Sequence, residues 1–227
     1  LSSINYFGLW VQLSDSMSVP RAQAYVNVDD IRIVRNYRVA GESGSGRIAS
    51  CDSTDGWNRD THWVGALSLD EKVKQAGTGS ITLGKIANNY ESDFIKGTYT
   101  CEPKNLGVNA KNGVLEFWVY TNHASIFSTG SGFVQLSSSG DSNQGYTFQF
   151  GWKANEAVRD NTWTKITMEF PEALAGSGGT DLTAIRTMNV FVNTGGIPGV
   201  GDAWLKIDDV RVYAAEIQPV TDAGEGV

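Results

Sequence analysis

Apolar and polar residues alternate with a period of two through much of the chain. The clearest runs are residues 114–120, 132–137, 146–152, 163–170, 187–192 and 204–213. Each is bounded by Gly, Asn, Asp or Ser. Period two with turn residues at both ends predicts half-buried strands. Helical spacing is nearly absent, and only residues 181–186 could form a helical turn. Many short strands between turns predict an all-β chain folded as an antiparallel β-sandwich.

The alternation also sorts faces. Along residues 115–120, Leu115, Phe117 and Val119 share one side, and Glu116, Trp118 and Tyr120 share the other. The aliphatic set is the natural core face. Along residues 146–152, Tyr146, Phe148, Phe150 and Trp152 form the expected core side, which turns Gln149 outward. Trp57, Trp163 and Trp204 are expected in the core.

Trp118 and Tyr120 beside Glu116 then make an aromatic–carboxylate surface. Sugars stack their C–H faces on aromatic rings and need partners for their hydroxyls. Glu116, Gln149 and Asn122 could supply the hydrogen bonds. The alternative is that a second layer or the N-terminal segment covers this face. Trp63, with the loop at residues 141–145, offers a second candidate site at the loop tips.

A partial repeat organises the chain. Val-Asn-Val-Asp-Asp-Ile-Arg-Ile-Val at residues 26–34 returns as Leu-Lys-Ile-Asp-Asp-Val-Arg-Val-Tyr at residues 205–213. Residues 1–38 therefore read as the closing strands of a preceding similar module, or as a pairing segment. Residues 39–46 read as a Gly/Ser linker, 47–214 as one complete module, and 215–227 as a C-terminal linker. An isolated hairpin is marginal in water. Residues 1–38 must therefore pair with this module, a neighbouring module or another chain.

Composition narrows the function classes. Hydrophobic residues make up 41% of the 227 residues, enough for a packed core. The formal net charge is −7 and no Lys/Arg cluster appears, which argues against a nucleic-acid partner. No run approaches the roughly 18–20 apolar residues of a membrane helix. No charged-then-apolar leader opens the sequence and Leu1 is no natural start residue, so the chain reads as a mature or excised piece of a longer protein.

Two Cys do not complete a zinc site, and neither lies in a C-x-x-C motif. Cys51 and Cys101 are either bridged or two separate buried thiols. No paired carboxylates, G-x-S-x-G or H-E-x-x-H motif signals catalysis, and His62 and His123 are isolated.

Four segments in order carry a family resemblance. Residues 48–57 read Ile-Ala-Ser-Cys-Asp-Ser-Thr-Asp-Gly-Trp, and residues 75–81 read Gln-Ala-Gly-Thr-Gly-Ser-Ile. Residues 115–120 read Leu-Glu-Phe-Trp-Val-Tyr, and residues 207–213 read Ile-Asp-Asp-Val-Arg-Val-Tyr. Together they resemble the calcium-binding jelly-roll carbohydrate-binding modules of the galactose-binding-like group. The resemblance spans about residues 46–214.

It implies a jelly roll, a secreted setting, a polysaccharide partner and no catalysis by the module itself. The parent protein would be a glycoside hydrolase or polysaccharide lyase. It also implies a structural Ca²⁺ held by the carboxylates of Asp52 and Asp208 and by backbone carbonyls near Gly77 and Thr78. The rival reading is a structural subunit of a surface layer, adhesin or filament, assembled by strand pairing.

Overall fold

Strands form where alternating residues can bury one side against a second sheet. The computed structural model describes residues 46–58, 67–86, 94–129, 132–139, 147–151, 158–173, 179–194 and 202–215. By its internal contacts the chain divides after Arg35, and every described residue belongs to the second unit. The repeat copy at 26–34 and the linker at 39–45 lie outside the described residues.

The strands are β1 (Arg47–Ala49), β2 (Trp57–Asn58), β3 (Leu67–Asp70), β4 (Ser80–Ile86), β5 (Phe94–Lys104), β6 (Gly113–Thr121), β7 (Gly132–Ser137), β8 (Thr147–Gly151), β9 (Thr164–Glu169), β10 (Ile185–Asn193) and β11 (Trp204–Ala214). A short helix α1 (Ser125–Thr129) follows β6, and a 3-10 turn at Phe170–Glu172 follows β9.

Every pairing between these strands is antiparallel. A front sheet runs β3–β4–β11–β6–β9, with β1 beside the far half of β11. A back sheet runs β2–β5–β10–β7–β8. β4 belongs to both. Its residues 81–84 pair with β11, and its last two pair with Ile95 and Phe94 of β5. A strand that changes sheets makes the corner of a sandwich.

The core lies between the sheets. Leu115, Phe117, Val119, Ile166, Leu205 and Ile207 face it from the front, and Ile95, Val134, Leu136, Phe150, Val190 and Val192 from the back. The alternation placed Leu115, Phe117, Val119 and Phe150 on this side correctly. β6, β7, β8, β9, β10 and β11 match the predicted runs to within a residue or two.

The expected single turn is present: the Ala184 N–H donates to the Asp181 carbonyl at 3.1 Å, and Ile185 then opens β10. One expectation needs correction. Trp163 and Trp204 are only partly buried and lie on the outer side of the front sheet, whereas Trp57 is in the core as expected. Cys51 and Cys101 are both free thiols. Burial pushes the Cys51 thiol far up, and Asp208 nearby adds to the effect.

The chain's entry and exit meet on β11. The pairing of β1 with β11 is irregular between Arg47 and Ala49, and that of β11 with β6 between Asp208 and Arg211. Asp209 lies at this bulge with φ of 50°. Its carboxylate takes Arg47 at 2.7 Å and Arg211 at 2.8 Å. Lys104 caps the carbonyls of Arg47 and Ile48 at 3.2 and 2.7 Å. The Val212 N–H donates to the Gly46 carbonyl at 2.7 Å.

Candidate functional site

The outer side of the front sheet gathers the aromatic residues. On β6, Glu116, Trp118 and Tyr120 alternate with buried Leu115, Phe117 and Val119, as their spacing requires. Tyr120 stands between two tryptophans. Its ring is 5.7 Å from Trp204 at 10° and 5.3 Å from Trp163 at 53°. Trp118 lies one step along β6, opposite Lys165 of β9 and Asp208 of β11. The three rings, one pair stacked and one tilted, come from β11, β6 and the residue before β9, strands about 4.8 Å apart. They therefore form a row about 10 Å long across the sheet.

Loop contacts fix that row from below. The Trp204 N–H donates to the Asn122 side-chain oxygen at 2.9 Å, and the Asn122 amide donates to the Asp202 carbonyl at 2.8 Å. The Thr121 hydroxyl donates to the Trp204 carbonyl at 2.7 Å. The Asn161 N–H reaches the Thr121 carbonyl at 2.8 Å, which brings in the segment carrying Trp163. Asn122, read from sequence as a hydrogen-bonding partner for sugar, is committed at both ends of its amide. It holds Trp204 in place.

Charges on this side are paired. Glu116 accepts from Lys165 at 3.3 Å and from the Tyr213 hydroxyl at 3.2 Å, both on one oxygen. Lys206 is nearly buried. Its ammonium meets Asp70 at 2.9 Å and the Thr82 hydroxyl at 2.8 Å, and it lies 4.7 Å over the Trp204 ring. The hydrogen bond from Lys206, helped by the Val73 N–H, holds the Asp70 carboxyl down at about 2.

A depressed folded-state value means that Asp70 stabilises the fold above its ordinary value of ~4. That stability is lost as pH falls from ~4 through about 2. Asp70→Asn is therefore expected to lower the melting temperature at pH 7, at a cost of about 1–2 kcal/mol. The gap from wild type should close between pH 4 and pH 2, as thermal melts across that range would show.

Gln149 does not join this group. It lies on β8, on the outer side of the back sheet, where its oxygen accepts from Gln135 at 3.0 Å. Gln135 in turn accepts from Asn189 at 3.2 Å. The predicted outward orientation holds, but the sheet is the other one. Trp63 and the loop at 141–145 lie outside the described residues.

The four residues expected around calcium converge on the loop between β3 and β4. Asp52 Oδ1 accepts from the N–H and hydroxyl of Thr78 and from the Gly79 N–H at 3.1 Å. Gly77, with φ of 60°, makes this turn, and a Cβ there would strike the Asp52 carboxylate. Asp208 Oδ2 accepts from the N–H groups of Gln75 and Ala76 at 2.7 and 2.9 Å. Burial partly raises Asp52, but the Thr78 and Gly79 N–H groups outweigh it and hold the carboxyl below its ordinary value.

Asp208 goes the other way. Burial pushes its carboxyl up against the pull of Ala76 and Gln75. Asp208 Oδ1 is buried and has no hydrogen-bond partner. That orphaned oxygen, with the Asp52 carboxylate held by the same loop, fits a hard oxygen-seeking cation. The Thr78 carbonyl takes the Lys74 ammonium at 3.3 Å, a contact on the exposed side of the loop. Among the described residues, no group of three or more His, Cys, Asp or Glu is placed to hold a metal ion. A site here would depend on carbonyl and water oxygens as well.

No family model matches the chain, and no curated protein matches its sequence. Solved structures do. A family 30 carbohydrate-binding module of a cellulosomal cellulase of Clostridium thermocellum superposes with a TM-score of 0.44 at 11% identity, over 73% of this chain and 90% of that one. A CBM22-1 xylan-binding domain from Paenibacillus barcinonensis gives 0.40 at 15%, over 74% and 93%. An exo-β-agarase gives 0.47 at 9%, over 76% of this chain and 25% of that one. At these scores and identities the likeness carries no argument about function.

Proposed function

We propose that the chain is a noncatalytic carbohydrate-binding module from a secreted, multimodular polysaccharide-degrading enzyme. The observation that supports this is the partly exposed aromatic group Trp118, Tyr120, Trp163 and Trp204 on one side of one sheet, with Glu116 beside it. Rings held by a rigid sheet offer apolar area at little entropic cost, and a carboxylate oxygen left over from ion pairing can accept a sugar hydroxyl.

A structural Ca²⁺ belongs to the same proposal. Asp208 Oδ1 and the Asp52 carboxylate would hold it, with carbonyl oxygens of the β3–β4 loop around Gly77 and Thr78. Its role would be to tie that loop to β11.

Affinity electrophoresis against a broad polysaccharide panel, with Ca²⁺ present, tests the main reading. Wild type is expected to be retarded by at least one polymer. Trp118→Ala should weaken that retardation about thirtyfold, the effect of losing a central aromatic contact of about 2 kcal/mol. Its circular dichroism spectrum should stay that of the wild type. A panel without any retardation would end the proposal.

A further inference from the structure

We infer that the ligand of the front-sheet surface is an uncharged polysaccharide, and that paired charges on the sheet exclude uronate- or sulfate-bearing chains. This rests on the carbohydrate-binding reading above and specifies its ligand class. The ground is the state of the cations. Recognition of an anionic sugar needs an Arg or Lys whose donors are open to a carboxylate or sulfate oxygen. On this side of the sheet the outward cations of β9 and β11 are Lys165, Lys206 and Arg211, and each already meets a carboxylate of the protein.

Lys206 is the most firmly held. Its side chain is 8% exposed, one donor goes to Asp70 at 2.9 Å and one to Thr82 at 2.8 Å. The ammonium also lies 4.7 Å from the centre of the Trp204 ring. Its charge is thus answered by a carboxylate on one side and an aromatic face on another. An anionic ligand would have to displace Asp70, whose carboxyl is itself held by the Lys72 and Val73 N–H groups at 2.8 and 3.0 Å.

Arg211 shares Asp209 with Arg47. Lys165 is the most exposed of the three, with 48% of its side chain open, and it is neutralised by Glu116 at 3.3 Å. The protein around the sheet carries a formal net charge of −7, which repels a polyanion at long range. Among the described residues of β6, β9 and β11, what is left for a ligand on this side is aromatic rings and a carboxylate oxygen, a set that suits hydroxyls and C–H faces.

Matched electrophoresis separates the outcomes. The full chain is run against uncharged polymers (β-glucan, xylan, galactomannan, agarose) and anionic ones (polygalacturonate, alginate, carrageenan), at low salt and again at about 0.5 M NaCl, where charge attraction between exposed groups is largely screened. The expected result is retardation by at least one uncharged polymer, changed less than twofold by salt, and lost in Trp118→Ala.

Glu116→Gln, which releases Lys165, is expected to add salt-sensitive retardation of at least threefold by polygalacturonate. If wild type prefers an anionic polymer and loses it in Trp118→Ala, the ligand class is wrong while the site stands. If Glu116→Gln gains nothing on polygalacturonate, pairing is not what excludes anions and the inference fails. If no polymer is retarded, or retardation survives Trp118→Ala, the site reading falls and takes the inference with it.

Discussion

Phe170→Ala should destabilise the module by about 3–5 kcal/mol, a large share of the 5–15 kcal/mol that holds a typical domain. Phe170 follows the front sheet's edge strand β9 in sequence, yet its ring packs on the back sheet. Its centroid is 4.8 Å from Phe148 and 5.3 Å from Phe150, both on β8, and the residue is 1% exposed. Below the ring lies the Gly113 backbone, where any Cβ would collide with it. The cavity left by alanine could not collapse, because two sheets and a backbone define its walls.

Phe170→Leu keeps most of the volume and should cost no more than about 1.5 kcal/mol. Urea unfolding checks this through the midpoint, with an unchanged slope in both variants. A stability loss under about 1 kcal/mol for alanine, from the midpoint shift and slope, would mean that Phe170 does not join the sheets.

The second large effect is on the β3–β4 loop. Calcium at a hundred times its dissociation constant should stabilise the wild type by about 2.7 kcal/mol, and a chelator should remove that gain. Asp208→Asn should abolish it. Without metal the sign reverses. Burial raises the folded-state value of Asp208, so the folded protein holds its proton longer than the unfolded chain does. Stability without calcium therefore falls as pH rises from ~4 through that raised value.

Asparagine carries no such charge, so in chelator at pH 7 Asp208→Asn should be at least as stable as wild type. Melting curves of both proteins with calcium and with chelator make the four-way comparison. Identical wild-type melts in the two buffers would leave the orphaned Asp208 oxygen without a metal.

The residues that alternation could place were those on strands with one clean apolar face. β6 is the clearest case, since Glu116, Trp118 and Tyr120 fall outward by parity alone. β5 was not legible. Gly97 takes an inward position without a side chain, and Pro103 and Glu102 fall within its exposed end. Gln149 shows a different limit. Parity says which side of its own strand a residue takes, but strand order decides which sheet that strand joins. Only pairing of β8 with β7 puts Gln149 behind the sandwich.

Trp163 and Trp204 misled through size. A large ring at a strand end reads as core. Here the Trp204 ring instead stacks on Tyr120 outside and the Trp163 ring tilts against it, and the Thr121 and Asn122 side chains hold the Trp204 backbone through bonds that no sequence pattern announces. The meeting of Asp52 and Asp208 with the β3–β4 loop was legible because these carboxylates and Gly77 lie in the segments that carry the family resemblance. What those segments did not reveal is that N–H groups take one oxygen of each carboxylate.

The meeting of entry and exit on β11 has a mechanical meaning. β1 runs antiparallel to β11, and Gly46 lies against Val212, so the incoming and outgoing chain leave the sheet at the same end of one ladder. Tension on the two flanks loads that ladder's bonds one after another instead of all together. The first elements to yield are the Gly46–Val212 bond and the Arg47–Asp209 pair, ahead of the core. Pulled from these two flanks, the sandwich would thus peel open at β1 at modest force, with Trp118 and Tyr120 of β6 still in register.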